Sequence, residues 1–127
     1  MYPLAPLTHD FLMDCNQAAA SYDACVASNR LMVESITLFV DTAAAAPTTF
    51  LSIQTNQTTA LEILSAIEGA VGNLTGGLTL LPNRTQETKF VLMTGEKIQY
   101  TIGGGSGAGK VRIVVKYRPL VVGARLS

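Results

Sequence analysis

Between residues 90 and 117 the chain keeps apolar–polar alternation on both sides of a glycine-rich stretch. Ile98, Tyr100 and Ile102 alternate with Lys97, Gln99 and Thr101. Val111, Ile113, Val115 and Tyr117 alternate with Lys110, Arg112 and Lys116, and Val114 is the one apolar residue in the polar phase. A period of two marks half-buried antiparallel strands, and the glycines at 103–109 predict a flexible hairpin loop between them. Residues 32–41 read as another strand, with Ile36, Leu38 and Val40 on one face and Val33, Ser35, Thr37 and Phe39 on the other. Residues 49–55 follow with Leu51 and Ile53 inward. Shorter strands are expected at 11–14 and 22–27, around the Ala18-Ala19-Ala20-Ser21 link, and at 78–81, between Gly76-Gly77 and Pro82-Asn83.

Residues 1–7 carry Pro3 and Pro6, which fix φ and remove two donors, so the segment reads as an extended arm. Residues 58–71 carry two patterns at once. Thr59-x-x-Glu62 fits a capping box and Leu61, Leu64 and Ile67 recur at helical spacing, yet Ile63, Ser65 and Ile67 alternate. Pro119 closes the last long strand and residues 120–127 form a tail. About eight short strands separated by Gly, Pro, Asn and Thr predict an all-β fold. The expected architecture is an antiparallel β-sandwich or jelly roll with at most one short helix near 59–70. One domain is expected to span 1–127, with an arm at 1–7 and a tail at 120–127.

Composition changes this picture mainly through charge. Charged residues are 14% of the chain and the formal net charge is zero, but residues 1–70 hold seven acids and one base, and residues 71–127 two acids and eight bases, so the halves carry −6 and +6. In a sandwich the halves interleave and the asymmetry can cancel in space. The alternative is that Lys110, Arg112, Lys116 and Arg118 form one basic stripe on the outer face of a strand, suited to an acidic partner surface. No run of four bases occurs and no aromatics interleave with them, so direct nucleic-acid binding is not expected. Residues 1–7 lack the basic start and apolar run of a signal peptide, and no apolar run approaches a membrane span.

Several residues invite chemistry. Gly104-x-x-x-x-Gly109-Lys110 matches a phosphate loop up to its last position, where Val111 stands instead of Ser or Thr, and the β-branched residues that follow suit a strand rather than the helix phosphate needs. Cys15 and Cys25 are the only cysteines and His9 the only histidine, so a zinc site would need carboxylates. The cysteines read as reduced thiols, with a disulfide open only if residues 15 and 25 pair in a hairpin. Ser/His/Asp catalysis would depend on His9 in the leader, and Asp10 with Asp14, or Glu62 with Glu68, have no apolar setting to separate their pKa values. No catalytic, cofactor or metal residue is assigned, and an enzyme is not expected. Asn-x-Thr sequons at Asn56, Asn73 and Asn83 read as Thr-rich loop chemistry. Tyr100 and Tyr117 fall on inward faces. Tyr2, beside Pro3 and Leu4 in the arm, is the aromatic placed to anchor on a partner.

A run of segments resembles a known family: Glu34-Ser-Ile-Thr-Leu-Phe-Val-Asp-Thr-Ala43, Phe50-Leu-Ser-Ile-Gln-Thr-Asn56, Lys89-Phe-Val-Leu, and Gln99-Tyr-Thr-Ile-Gly-Gly-Gly-Ser-Gly-Ala-Gly-Lys-Val111. The chain is similar here to the jelly-roll cement, or decoration, proteins of tailed bacteriophages, over most of residues 34–118. It departs from them in its Pro-rich start, its cysteines and its tail after Pro119. The resemblance implies a structural virion protein made in the host cytoplasm and bound outside an assembled head. Its implied partner is the major capsid protein, whose subunits it bridges, often as a homodimer or other homo-oligomer. Tyr2, Pro3, Leu4, Lys110, Arg112, Lys116 and Arg118 are the expected partner contacts. The alternative is another virion module, such as a tail or receptor-binding sandwich that holds sugar, against which the absence of Trp counts.

Overall fold

The computed structural model describes residues 5–75 and 89–127. It is all-β among those residues, with strands β1 (Leu7–Asp14), β2 (Ser21–Val26), β3 (Leu31–Thr42), β4 (Phe50–Thr55), β5 (Glu62–Leu64), β6 (Phe90–Leu92), β7 (Lys97–Gly103) and β8 (Lys110–Pro119). Two antiparallel four-stranded sheets form, in the orders β1-β8-β3-β6 and β2-β7-β4-β5. The pairings β1–β8, β2–β7, β3–β6 and β4–β5 make the chain one long hairpin wrapped around a common core. That wrapping is the jelly-roll topology.

The wrapping overturns one expectation. β7 and β8 alternate as the sequence suggests, but they do not pair with each other. β7 lies between β2 and β4, and β8 lies between β1 and β3 in the opposite sheet. The glycine stretch is therefore a crossing between sheets, and it is tied down. Thr49 N–H donates to Gly103 O (2.9 Å), Ser106 N–H to Gln17 O (2.6 Å), Gly107 N–H to Thr48 Oγ1 (3.1 Å) and Ala45 N–H to Ala108 O (3.1 Å). Phosphate binding needs free amides and a following helix. Here the Ser106 and Gly107 amides are spent on neighbouring loops, and Lys110 opens a strand.

A second correction concerns β3. Val33 is buried on the same side as Ile36, Leu38 and Val40, because the register with β8 shifts between Val33 and Ser35. Such a bulge lets two residues oppose one, so the apolar phase changes parity and both ends of a 12-residue strand can face the core. Residues 59–70 hold no helix. Glu62–Leu64 pairs with β4 instead, burying Ile63 and Leu64, and a short 3-10 turn follows at Val71–Asn73. Three helix-spaced apolar residues would give one narrow stripe, whereas the strand buries two adjacent side chains against the core, and packing outweighs propensity. The strand expected at 78–81 and the sequon at Asn83 lie outside the described residues. Asn56 Oδ1 accepts from Lys97 N–H, and Asn73 Nδ2 donates to Ile67 O, so the other two sequon carboxamides stitch loops.

The core lies between the sheets. Ile36, Leu38, Val40, Val111, Ile113, Val115 and Tyr117 face Leu51, Ile53, Ile98, Tyr100 and Ile102, all buried. Burying each large aliphatic chain is favourable by about 2 kcal/mol. Tyr100 packs against Phe11 and Tyr22, with ring centroids 6.1 and 5.6 Å apart, and its hydroxyl accepts from Gln17 Nε2. Cys15 and Cys25 are free, buried thiols in this core. Leu7, at the end of the expected arm, is the first residue of β1 and pairs with Tyr117. The tail folds back: Leu126 is buried and bridges Ala27, and Ser127 N–H donates to Val26 O (3.1 Å).

Candidate interaction surface

Lys110, Arg112, Lys116 and Arg118 occupy alternate positions of β8, opposite in phase to the buried Val111, Ile113, Val115 and Tyr117. They do lie on one outer face. Because β8 is central in its sheet, neighbours on both sides decide what that face presents. Register gives rows across it: Asp14–Lys110–Thr42, Leu12–Arg112–Phe39, Asp10–Val114–Thr37, Thr8–Lys116–Ser35, and Arg118–Met32–Val91.

The bases are not a uniform stripe. Arg112 Nη1 lies 2.7 Å from Asp10 Oδ1, and Arg118 Nε lies 3.5 Å from Glu34 Oε1. Lys89 Nζ reaches the other Glu34 oxygen at 4.0 Å, and on the second sheet Lys97 pairs with Asp23 at 3.0 Å. Each pair joins the acidic half of the chain to the basic half. The wrapped hairpin causes this, since β8 lies between β1 and β3, and β7 between β2 and β4. Lys110 and Lys116 form no ion pair among the described residues, which leaves them as the unpaired bases of this face. Asp10 and Arg112 are half-exposed, and solvent screens such pairs to roughly 0–1 kcal/mol. Asp10→Asn is therefore expected to lower the unfolding free energy by less than about 1 kcal/mol, read by urea denaturation. A loss of several kcal/mol would make the pair a structural element of the fold.

Sequence reasoning missed the apolar half of this face. Leu12, Met32, Phe39 and Val114 are half-buried, and Val91 is exposed. Leu120 and Met93 extend the apolar area at one end, 45% and 49% exposed. Arginine among partly exposed large apolar residues is the composition of protein–protein interfaces. The outer face of the second sheet differs. It carries Ser21, Asp23, Ser52, Gln54, Lys97, Gln99 and Thr101, small or polar, and several are bonded across strands: Ser21 Oγ lies 2.7 Å from Thr101 Oγ1, and Gln99 Nε2 and Lys97 Nζ donate to Asp23. Hydrogen bonds from Gln99 and Lys97 hold the Asp23 carboxyl below the usual carboxylate range.

The remaining candidates are dispersed. His9 sits on β1 opposite Val115, on the inward phase, with its Nε2 buried and without a hydrogen-bond partner among the described residues. Asp10 is held by Arg112, and Glu68 Oε1 accepts from Ser65 N–H. Tyr2, Pro3 and Leu4 lie outside the described residues.

No protein-family profile and no curated protein matches the chain. Among solved structures, the chain is similar to one from the acidic stable capsid structure of Helicobacter pylori bacteriophage KHP30, at 12% sequence identity and a TM-score of 0.54. The overlap covers 99% of this chain and 95% of that one. At that identity the likeness is one of fold.

Proposed function

We propose that this protein is a structural component of a tailed-phage virion that binds the outside of the assembled head and bridges neighbouring major capsid subunits. The observation that carries the reading is the end-to-end overlap with a chain of a phage capsid structure. Nearly all of both chains is matched, so the counterpart there is a body of similar size and not one domain of a much larger subunit. The motif resemblance at residues 34–118 points to the same class from the sequence side.

The surface suits the task. A shell strained by packed nucleic acid gains from extra contact area across subunit joints. About 1,600 Å² of buried surface is enough for specific association, and many copies on one shell add multivalent strength. The face built around β8 offers half-buried Leu12, Phe39, Met32 and Val114 with Lys110 and Lys116 among them, while the second sheet offers a neutral Ser, Thr and Gln face. Buried interfaces of this kind work through contact area and need no reactive group.

The test is co-sedimentation of the purified protein with heads assembled without it, followed by thermal rupture of decorated and bare heads. Saturable binding and rupture at a higher temperature for decorated heads are expected. Failure to sediment, or equal rupture temperatures, would end the reading.

A further inference from the structure

The two sheets have four edge strands, and among the described residues three of them are blunted. β2 is interrupted by a register shift between Asp23 and Cys25. β5 spans three residues and its pairing to β4 is itself irregular. β6 also spans three residues, and Val91 O accepts from Gln57 Nε2 at 2.8 Å, which caps its ladder with a side chain. These are the devices by which sheets avoid unwanted pairing: short strands, bulges and covered edges.

β1 differs. It runs for eight residues in unbroken register with β8, from Leu7↔Tyr117 to Asp14↔Lys110, with no bulge and no proline. Cys15 N–H donates to Gly109 O (2.9 Å), one step beyond that register, so the odd-numbered residues of β1 direct their main-chain groups at β8. The N–H and C=O groups of Thr8, Asp10 and Leu12 then point away from β8, to a side where no described residue pairs with them. Asp14 O, the next acceptor along, is taken by Gln17 Nε2 at 2.7 Å, which ends the strip.

We propose that this strip is a docking edge, which accepts an extended segment of a partner protein as a fifth strand, with Lys or Arg at alternate positions of that segment. The proposal rests on the structural-virion reading and names the contact it would use. Charge selects the occupant. The outward side chains along β1 are Thr8, Asp10, Leu12 and Asp14, so both charges on the edge strand itself are acidic, Asp10 paired on its β8 side with Arg112 and Asp14 opposite Lys110. Antiparallel pairing of β1 with the β1 of a second copy would gather Asp10 and Asp14 of both copies on one face without placing a cation between them. A heterologous segment with cations in register meets Asp10 and Asp14 favourably, while its other phase covers the half-buried Leu7 and Phe11. Main-chain bonds supply the affinity and alternate side chains the selectivity, the usual division in strand addition.

The experiment compares two substitutions at one residue. Leu12→Pro removes the outward N–H and the leucine side chain; Leu12→Ala removes the side chain alone. Binding to heads assembled without the protein is measured for both, with circular dichroism to establish folding. Thr8→Pro, near the start of the strand, replaces Leu12→Pro if the latter does not fold. The proline variant is expected to bind about tenfold more weakly than the alanine variant, whose own loss measures the Leu12 side chain on the outer face. Asp10→Asn is expected to weaken binding severalfold through lost charge. Amide exchange in the free protein gives a second readout: Thr8, Asp10 and Leu12 should exchange quickly and Phe11 and Met13 slowly. Equal binding by the proline variant and wild type, equal loss in both Leu12 variants, or protection of those three amides in the free protein would overturn the edge and leave the virion reading standing. Failure of the wild-type protein to bind heads would remove both.

Discussion

Gly104→Ala is expected to destabilise the protein by about 3 kcal/mol. Gly104 sits at φ +76° in the crossing from β7 to β8, a region where an L side chain costs roughly 1–2 kcal/mol. A methyl group there would also overlap the carbonyl oxygen of Pro47 and press on Thr49. That neighbour is backbone, in the β3–β4 connection, and cannot swing aside as a flexible side chain would. Relief requires the two connections to part, and the Thr49-to-Gly103 and Gly107-to-Thr48 bonds lie at that seam. Forced overpacking typically costs 1–3 kcal/mol more. The lower entropy of an unfolded chain with alanine returns about 0.4–1 kcal/mol. A net loss near 3 kcal/mol is a large part of the roughly 5–15 kcal/mol that holds a domain together. The melting temperature should fall by about 10 °C. Gly72→Ala is the control, because nothing lies within 4 Å of its added carbon and its φ is ordinary; it should stay within about 0.5 kcal/mol of wild type. Equal small effects at both sites would mean that the glycine crossing is as loose as its composition suggests.

That contrast shows where the sequence was legible. The alternation at 97–102 and 110–117 is a local property, and both strands form where the pattern places them. Which strands pair is a property of the wrapped chain, and no local pattern carries it. A glycine-rich segment between two strands reads as a hairpin turn; here it is the place where the chain leaves one sheet for the other. Val33 illustrates the same limit, since the bulge that turns it inward depends on the register of β8 across from it. At residues 58–71 the helical and strand patterns were both present, and the neighbouring strand β4 decided between them.

The candidate surface was legible in part for the same reason. Lys110, Arg112, Lys116 and Arg118 were readable as one face because they share a strand. Asp10 and Glu34, which pair with two of them, come from strands roughly 80 to 100 positions earlier, and only the β1-β8-β3 order brings them alongside. The signal was nonetheless present as the −6 and +6 halves of a neutral chain. In a fold that pairs its first half with its second, such halves become ion pairs, and on the face around β8 Lys110 and Lys116 are the bases that no described acid pairs. The edge of β1, open among the described residues, had no sequence signature, because an edge is defined by what does not pair with it.

Alkaline unfolding driven by the two buried thiols is the second large effect expected. Burial raises the Cys15 thiol to about 11, with the Asp14 charge adding to the rise, and raises the Cys25 thiol to about 12 despite a hydrogen bond from the Ile98 backbone. An unfolded cysteine titrates near 9.0. The sign follows directly: below pH 9 both states keep both thiols protonated, and the buried thiols weigh nothing against the fold. As pH rises above about 9, only the unfolded chain can release these protons, so stability falls by about 1.4 kcal/mol per pH unit for each thiol. The fall continues until pH passes the folded values of about 11 and about 12. Burial raises the Tyr100 hydroxyl as well, which adds to the loss at the upper end. Between pH 8.5 and pH 10.5 the urea midpoint of the wild-type protein should drop steeply, and a Cys15→Ala/Cys25→Ala variant should show a much shallower slope whatever its stability at neutral pH. The slope is the quantity to compare, because the alanines also leave small cavities. A thiol reagent added at pH 8 should label neither cysteine until denaturant is present. Rapid labelling of the folded chain, or equal pH slopes in the two proteins, would place the thiols in contact with water and remove them from the core.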